Sequence, residues 1–271
     1  MAEEPTEFEL SDATHVRVLE TNLLHASDVI YWLDGASASN IVDMTRIQHS
    51  LELTLTKKPA ALKSISTIGK TAFWSTPTTP MVSGTTTDTQ RQKPATQDFV
   101  VAGSIVDNRG RFNPAAFEFT LGGGNGQTVV LFPAPAGVRV PAGGALQGRV
   151  VFANNSMPLI WGLLNLTVTI GLAETLSFQG QTDAKGDFII ALTRLPPLPL
   201  SATEYNADLT IKGLASANAR QPVKLVDLLA LKLESTTVPA DFVTTIPLVI
   251  RPGEIKRINS VNKSSIAVQT A

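Results

Sequence analysis

The residues best suited to metal chemistry are three histidines, and their spacing does not group them. His15 and His25 are ten positions apart, and His49 is isolated. Zinc sites need ligands at short, regular spacing, such as the His-Glu-x-x-His pattern. The chain has no cysteine, which excludes a thiolate zinc site, an iron–sulfur cluster and a cysteine nucleophile. We therefore expect no bound metal, and no loss of activity or metal content when any of these histidines is replaced by alanine.

Serine, glycine and acidic residues also lack the patterns that catalysis requires. Ser104 does not lie in the Gly-x-Ser-x-Gly turn that exposes a nucleophilic hydroxyl. The glycine clusters at residues 122–126 and 143–148 are not followed by Gly-Lys-Ser/Thr, so they predict turns and not a phosphate loop. Asp183 and Asp187 flank a turn, whereas acid–base catalysis places carboxylates in a sheltered cleft. We predict a protein without catalytic residues and without a cofactor.

The composition excludes further classes of protein. The 271 residues include 22 Lys+Arg and 23 Asp+Glu, and 43% of the chain is hydrophobic. A net charge of -1 supplies no basic surface for nucleic acid, and a disordered chain would be less apolar and more charged. We expect one large domain or two small ones, each with its own core.

The sequence has no pattern for export or for membrane insertion. Residues 1–9 are acidic, where a secretory signal is first basic and then apolar. The longest apolar window, residues 157–173, is interrupted by Pro158 and Asn165 and falls short of the ~20 residues of a spanning helix. We expect this window to form a core strand, and we expect a cytoplasmic protein without a signal peptide or direct membrane insertion.

Alternation of apolar and polar residues, which is typical of β-strands, recurs along the chain. In residues 164–170 every second side chain is apolar, so one face of the strand is predicted to be buried. Further strands are predicted at residues 17–19, 51–55, 99–106, 117–121, 129–132, 146–152, 188–192, 207–211 and 242–250. The best helix candidate is residues 223–233, which also fit a strand buried on both sides. The predicted fold class is all-β.

Three regions of the chain differ in composition. Residues 76–97 are rich in Thr, Pro and Gln and nearly free of apolar residues, which predicts a linker or an extended arm. Residues 1–75 are predicted to form a small β-rich N-terminal part, and residues 98–271 an immunoglobulin-like or somewhat larger β-sandwich. Because an arm buries little, we expect residues 76–97 and 260–271 to be ordered by neighbouring subunits, the latter by pairing with an exposed sheet edge.

The pattern Asp-x-(Arg/Lys)-Gly-x-Phe occurs twice. An aspartate at the start of a turn accepts the backbone N–H two residues later, and the glycine supplies a positive φ. We predict two tight β-hairpins, each followed by a phenylalanine in the core. A calcium loop is not expected, because alternating oxygen ligands and a terminal glutamate are missing. The turn residues are Asp107, Gly110 and Phe112 in the first copy and Asp183, Gly186 and Phe188 in the second.

Residues 146–192 combine a Gly-x-Val opening strand, a central strand at residues 166–169 and the sequence Thr-Asp-Ala-Lys-Gly-Asp-Phe at residues 182–188. In this order the segment resembles the carboxypeptidase-regulatory, or transthyretin-like, β-sandwich. Members of that family are accessory domains without catalytic residues. The resemblance therefore implies a transthyretin-like sandwich that packs against, docks onto or displays other domains.

A longer stretch carries a second resemblance. Residues 103–114 follow the pattern Gly-x-Val-x-Asp-x-x-Gly-Arg-Phe-x-Pro, with Ile105 at the Val position, and Leu-Phe-Pro-Ala-Pro follows at residues 131–135. Together with residues 146–192, this order is similar to accessory structural proteins of phage-tail-like contractile injection systems. The resemblance implies a non-enzymatic part of a cap, baseplate or other attachment within the particle. Its partners would be other protein subunits and further copies of the chain itself.

Aromatic residues in the N-terminal part suggest a different function. Tyr31 and Trp32 are adjacent, and Trp74 follows Phe73. Such pairs stack on sugars or anchor interfaces, although in a small domain they also suit the core. A carbohydrate-binding or adhesion module that uses Tyr31, Trp32 and Trp74 is therefore an alternative, and an enzyme of unknown type is another.

Overall fold

The structure is a computed structural model that describes residues 28–60, 62–75, 98–122, 124, 126–171, 174–200 and 202–270. These residues form seventeen β-strands, and their helical structure is limited to two 3-10 turns, Pro135–Gly137 and Leu225–Asp227. The prediction of an all-β fold is confirmed. No helix in these ranges has the length and apolar character needed to cross a bilayer. Two separate cores divide the strands into module 1 (residues 28–132) and module 2 (residues 145–270).

Module 1 is a sandwich of a four-stranded and a three-stranded sheet. Its strands are β1 (Asp28–Asp34), β2 (Glu52–Lys57), β3 (Leu62–Thr67), β4 (Lys70–Ser75), β5 (Phe99–Val106), β6 (Ala115–Leu121) and β7 (Gly126–Leu131). The larger sheet has the order β3-β4-β1-β7, and the smaller sheet has the order β2-β5-β6. β1 runs parallel to β7, whereas the other pairs in this module are antiparallel.

The core of module 1 draws on both sides of the boundary that the sequence predicted near residue 97. Trp32 and Phe73 from the N-terminal part pack with Ile105 and Phe117 from beyond it. β2 pairs with β5, and β1 pairs with β7, across the same boundary. The division between the two cores therefore follows β7 and not residue 97. The predicted arm at residues 76–97 and the predicted strand at residues 17–19 lie outside the described residues.

Module 2 contains ten strands around a single core. They are β8 (Ala145–Phe152), β9 (Leu163–Thr169), β10 (Thr175–Gln181), β11 (Asp187–Ala191), β12 (Tyr205–Gly213), β13 (Leu229–Glu234), β14 (Phe242–Val243), β15 (Ile246–Ile250), β16 (Ile255–Ile258) and β17 (Ile266–Thr270). Their hydrogen-bonded order is β10-β9-β12-β13-β17-β8-β11, with β15 on β12, β14 on β13 and β16 on β8. The end strands β10 and β11 come into contact, so the strands surround the core.

The predicted alternation is present in β9. Leu164, Leu166 and Val168 are fully buried, and the residues between them are only partly buried. One face of the strand therefore lies in the core of module 2. This alternation accounts for the apolar residues in the central part of the long apolar window, residues 163–169.

The C-terminal tail lies inside module 2. β17 is hydrogen-bonded between β13 and β8, and Ile266 and Val268 are fully buried. The ion pair between Lys263 Nζ and Glu234 Oε2, at 2.5 Å, holds the preceding loop against β13. The predicted pairing of the tail with a neighbouring subunit is therefore wrong for residues 260–270, because β8 and β13 of the same chain pair with β17.

The helix candidate at residues 223–233 is not a helix. After one 3-10 turn, β13 begins at Leu229, and Leu231 and Leu233 are buried whereas Lys232 between them is only partly buried. The alternative prediction of a strand is correct for this part, but Ala230 is exposed and Lys232 is only partly buried, so the strand is not buried on both sides.

Candidate functional site

The two modules are held together by hydrogen bonds and an ion pair across their interface. Asn113 lies at the end of the loop after β5, is nearly fully buried, and donates its side-chain amide to the backbone oxygens of Gln181 and Thr182 at 3.3 and 3.2 Å. A second contact is the ion pair between Lys224 Nζ and Glu118 Oε2, at 3.2 Å. A buried amide that satisfies two backbone oxygens is costly to remove, so these contacts stabilise one arrangement of the modules.

The first Asp-x-(Arg/Lys)-Gly-x-Phe copy forms the loop between β5 and β6, which we call the Asp107 loop (residues 107–113). Asp107 accepts backbone hydrogen bonds from Arg109, Arg111 and Phe112 at 2.9, 2.9 and 3.2 Å. Gly110 has a φ of +64°. Three amides bound by one carboxylate fix the backbone that carries both arginines. The strands on either side are antiparallel neighbours, as predicted for a hairpin.

The carboxylate of Asp107 is buried against His49. Burial acts to raise the pKa of Asp107, but the hydrogen bonds from Arg109 and Arg111 and the nearby His49 outweigh it and hold this pKa below its usual range. His49 Nε2 lies 3.2 Å from Asp107 Oδ2 without hydrogen-bond geometry. The partly buried ring of Phe112 packs against His49 with ring centres 5.7 Å apart. Asp107 is therefore a charged anchor for the loop.

The second copy of the pattern forms a similar turn in a different setting. Asp183 accepts a hydrogen bond from the Lys185 backbone at 2.7 Å, and Gly186 has a φ of +78°. Phe188 lies in the core of module 2. This turn does not close the predicted hairpin, because the strands that it joins pair with other partners, β10 with β9 and β11 with β8.

A groove with a volume of about 1050 Å³ lies between the two modules. We call it the arginine groove because five arginines line it: Arg46, Arg109, Arg111, Arg139 and Arg194. They are five of the eleven arginines in the chain, and none of the lysines is among the described lining residues. Apolar side chains from both modules and their linker, including Ile47, Val138 and Ile189, complete the lining.

Two of these arginines are positioned by aromatic rings. The guanidinium of Arg46 lies 4.3 Å from the ring centre of Tyr31, which projects from β1. Arg194 follows β11, lies 5.4 Å from the ring centre of Phe178 and donates to the backbone oxygen of Ser177 at 2.9 Å. Such cation–π contacts orient a guanidinium and leave its charge in place.

The other three arginines are positioned by the backbone. Arg109 and Arg111 extend from the Asp107 loop, and Arg139 lies in the linker between the modules. The linker packs on the Asp107 loop, because Ala134 donates its N–H to the Arg111 oxygen at 2.8 Å. The loop found in the sequence as a structural turn therefore also positions the cationic lining of the groove.

The arginine groove is strongly cationic. Asp34 is the acidic residue among its described lining residues, and burial raises the pKa of its carboxyl group. The ion pairs formed within the described ranges involve none of the five arginines. A guanidinium binds a carboxylate through two parallel hydrogen bonds, so clustered arginines are suited to several carboxylates along one segment. The site can bind an acidic peptide whose apolar side chains contact the groove walls.

The candidate binding aromatics are not placed together for stacking on a sugar. Trp32 is 2% exposed and packs against Phe117, so its proposed role in binding is wrong. Tyr31 is covered by Arg46. Trp74 is partly buried and lies opposite Lys63 on β3. Tyr31 and Trp32 are adjacent on β1, so their side chains lie on opposite faces of the sheet. The sequence did not show which of the two faces is buried.

The histidines do not come together as metal ligands in the described part of the chain. His49 is beside Asp107, whereas His15 and His25 lie outside the described residues. In the described part of the chain, no three His, Asp or Glu side chains come together as metal ligands.

The groove arginines were not identified from the sequence. Arg109 and Arg111 belong to the repeated pattern, but Arg46, Arg139 and Arg194 are far apart along the chain. The sequence did contain one indication of a cationic region. Residues 119–173 include Arg139 and Arg149 but no acidic residue. Comparison of the chain with protein-family models, curated proteins and solved structures found no match in any of the three.

Proposed function

We propose that the protein is a structural subunit of a larger protein assembly and that its arginine groove binds an acidic segment of a partner protein. The observation that carries the proposal is the collection of five arginines, without a described ion-pair partner, in a groove that has one acidic residue in its described lining. Ordered cationic groups that form no ion pair within the described residues are suited to an anionic ligand.

An acidic peptide suits the groove better than nucleic acid. Outside the groove, Arg149 pairs with Asp187 and Arg251 pairs with Glu204, so these two arginines do not extend the basic surface. The net charge of the whole chain is -1. Nucleic-acid sites instead use a continuous basic face that follows the phosphate backbone.

Binding of fluorescein-labelled dodecaglutamate, measured by fluorescence anisotropy at low salt, tests the groove. We expect saturable binding to the full chain, weakened about 10-fold or more in the variant Arg109→Gln/Arg111→Gln, because charge-assisted hydrogen bonds are lost. Arg220→Gln/Arg257→Gln removes two exposed arginines outside the groove and is the charge-matched control. Equal affinities of the two variants would overturn the site, and tighter binding of a single-stranded oligonucleotide than of the peptide would overturn the class of partner.

We further propose that the assembly is a phage-tail-like contractile injection system, in which the protein forms part of a cap, baseplate or other attachment. Support comes from the sequence order at residues 103–114, 131–135 and 146–192. The first two of these segments contain the second half of β5, the whole Asp107 loop and the start of the linker. The residues that carry the resemblance therefore include some that build the groove.

Gold-labelled antibody against this chain, applied to purified particles from cells that make it, tests the placement. We expect label at one end of contractile tails, since caps and baseplates are terminal. Particles without label, prepared from cells in which the chain is detected by immunoblot, would contradict the placement and leave the peptide-binding result unaffected.

A further inference from the structure

We propose that the acidic N-terminal segment of the same chain, residues 3–12, occupies the arginine groove until a partner displaces it. The proposal rests on the proposed function of the groove and names its resident ligand. It makes the groove a site that is regulated by the chain itself.

The charge distribution of the chain singles out this segment. Residues 1–27 hold six of the 23 acidic residues and one of the 22 basic residues. Five of these acids lie within residues 3–12: Glu3, Glu4, Glu7, Glu9 and Asp12. The other long segment outside the described ranges, residues 76–97, has Asp88 against Arg91 and Lys93 and does not match a cationic groove. The number of carboxylates in residues 3–12 equals the number of arginines that line the groove.

The order of residues in the segment also fits the two surfaces of the groove. Phe8 and Leu10 alternate with Glu7 and Glu9. In an extended conformation such alternation turns the carboxylates to one side and the apolar side chains to the other. The carboxylates would then meet the arginines, and the apolar side chains would meet lining residues such as Val138.

The segment can reach the groove within one chain. β1 begins at Asp28 and ends at Asp34, which lines the groove, so the two points are about 20 Å apart at the usual rise per residue. Residues 13–27 can span up to about 50 Å when extended. A tether of this length gives a local concentration on the order of millimolar, which favours docking within the chain over docking on a second copy.

Self-occupancy would set a threshold for assembly. A free acidic peptide of similar intrinsic affinity must compete with the tethered segment, so it binds only at high concentration or when it is itself presented by a multivalent partner. The groove would therefore accept a partner segment on an assembling particle and reject isolated acidic chains.

The test compares three forms of the full chain for binding of labelled dodecaglutamate. The first is the wild type, and the second carries Glu3→Gln, Glu4→Gln, Glu7→Gln, Glu9→Gln and Asp12→Asn. The third is a charge-matched control with five exposed acids outside the groove neutralised: Asp98→Asn, Glu174→Gln, Asp208→Asn, Asp241→Asn and Glu254→Gln. We expect the second form to bind about 10-fold or more tightly than the other two.

Each outcome bears on one statement. Equal binding by the wild type and the N-terminally neutralised chain would overturn self-occupancy and leave the groove as a peptide site. No binding by any form would overturn both proposals. Tighter binding by both neutralised forms would show an effect of net charge alone and would overturn self-occupancy. The molecular mass in solution distinguishes docking within the chain from docking on a second copy. If the wild type has a higher mass than the N-terminally neutralised chain, the segment docks on a second copy, and docking within the chain is overturned.

Discussion

Replacement of Gly186 by valine is expected to destabilise the protein by about 3 kcal/mol or more, from backbone strain and steric overlap together. Gly186 has a φ of +78°, and a Cβ on it would lie 2.4 Å from the backbone oxygen of Val150. Gly110 has a φ of +64° with nothing within 4 Å of such a Cβ. We therefore expect Gly110→Val to cost only about 1–2 kcal/mol, from strain. Urea unfolding followed by circular dichroism measures both.

Asparagine at the two positions separates strain from overlap. Asparagine adopts left-handed backbone conformations readily, so Gly110→Asn should change the stability of the protein little. Gly186→Asn should still destabilise strongly, because its Cβ meets the Val150 oxygen whatever the φ preference. Similar losses for Gly110→Asn and Gly186→Asn would contradict the close approach of the second turn to β8.

Replacement of Asp107 by alanine is the other change with a large expected effect, about 3 kcal/mol, because a buried carboxylate that accepts three backbone hydrogen bonds is removed. The Asp107 loop also carries Arg109 and Arg111, so binding of dodecaglutamate should weaken together with stability. Thermal unfolding and the anisotropy assay measure the two effects on one preparation.

Asp183→Ala is the matched control, since Asp183 anchors the second turn but does not line the arginine groove. It should reduce stability and leave peptide affinity unchanged. The pKa of Asp107 is lower in the folded chain than its unfolded value of about 3.9, so its contribution is complete above that pH and is lost as the pH falls below about 4. The stability difference between wild type and Asp107→Ala should shrink in that range. A difference that stays constant down to pH 2 would contradict a charged anchor.

Local patterns predicted the strands that have one buried and one exposed face. The interval predicted at residues 99–106 coincides with β5, and the alternation at residues 164–170 is that of β9. Strands without this contrast were missed. β1 carries apolar residues on both faces, and β3 has one buried residue while the other five are exposed, so neither strand shows an alternation of buried apolar and exposed polar side chains.

Pairing between distant strands was beyond the sequence patterns. The boundary near residue 97 followed a change of composition, but β2 pairs with β5 and β1 runs parallel to β7 across it. The tail was expected to pair with the sheet edge of a neighbouring subunit, because the local sequence does not show that β17 pairs with β8. The groove arginines were missed for the same reason, since only the contact between the modules brings Arg46 near Arg194.

The position of β17 also determines when the protein can fold during synthesis. The core of module 1 is complete once residue 132 has left the ribosome, whereas β8 pairs with β17 only after residue 268 has emerged. At usual translation rates this interval lasts on the order of ten seconds or more. During that time the edge of β8 that pairs with β17 has no neighbouring strand, and the part of the arginine groove that module 2 supplies, including Arg194, is not yet built. Nascent chains stalled before β17 should therefore be the form of this protein that most needs a chaperone.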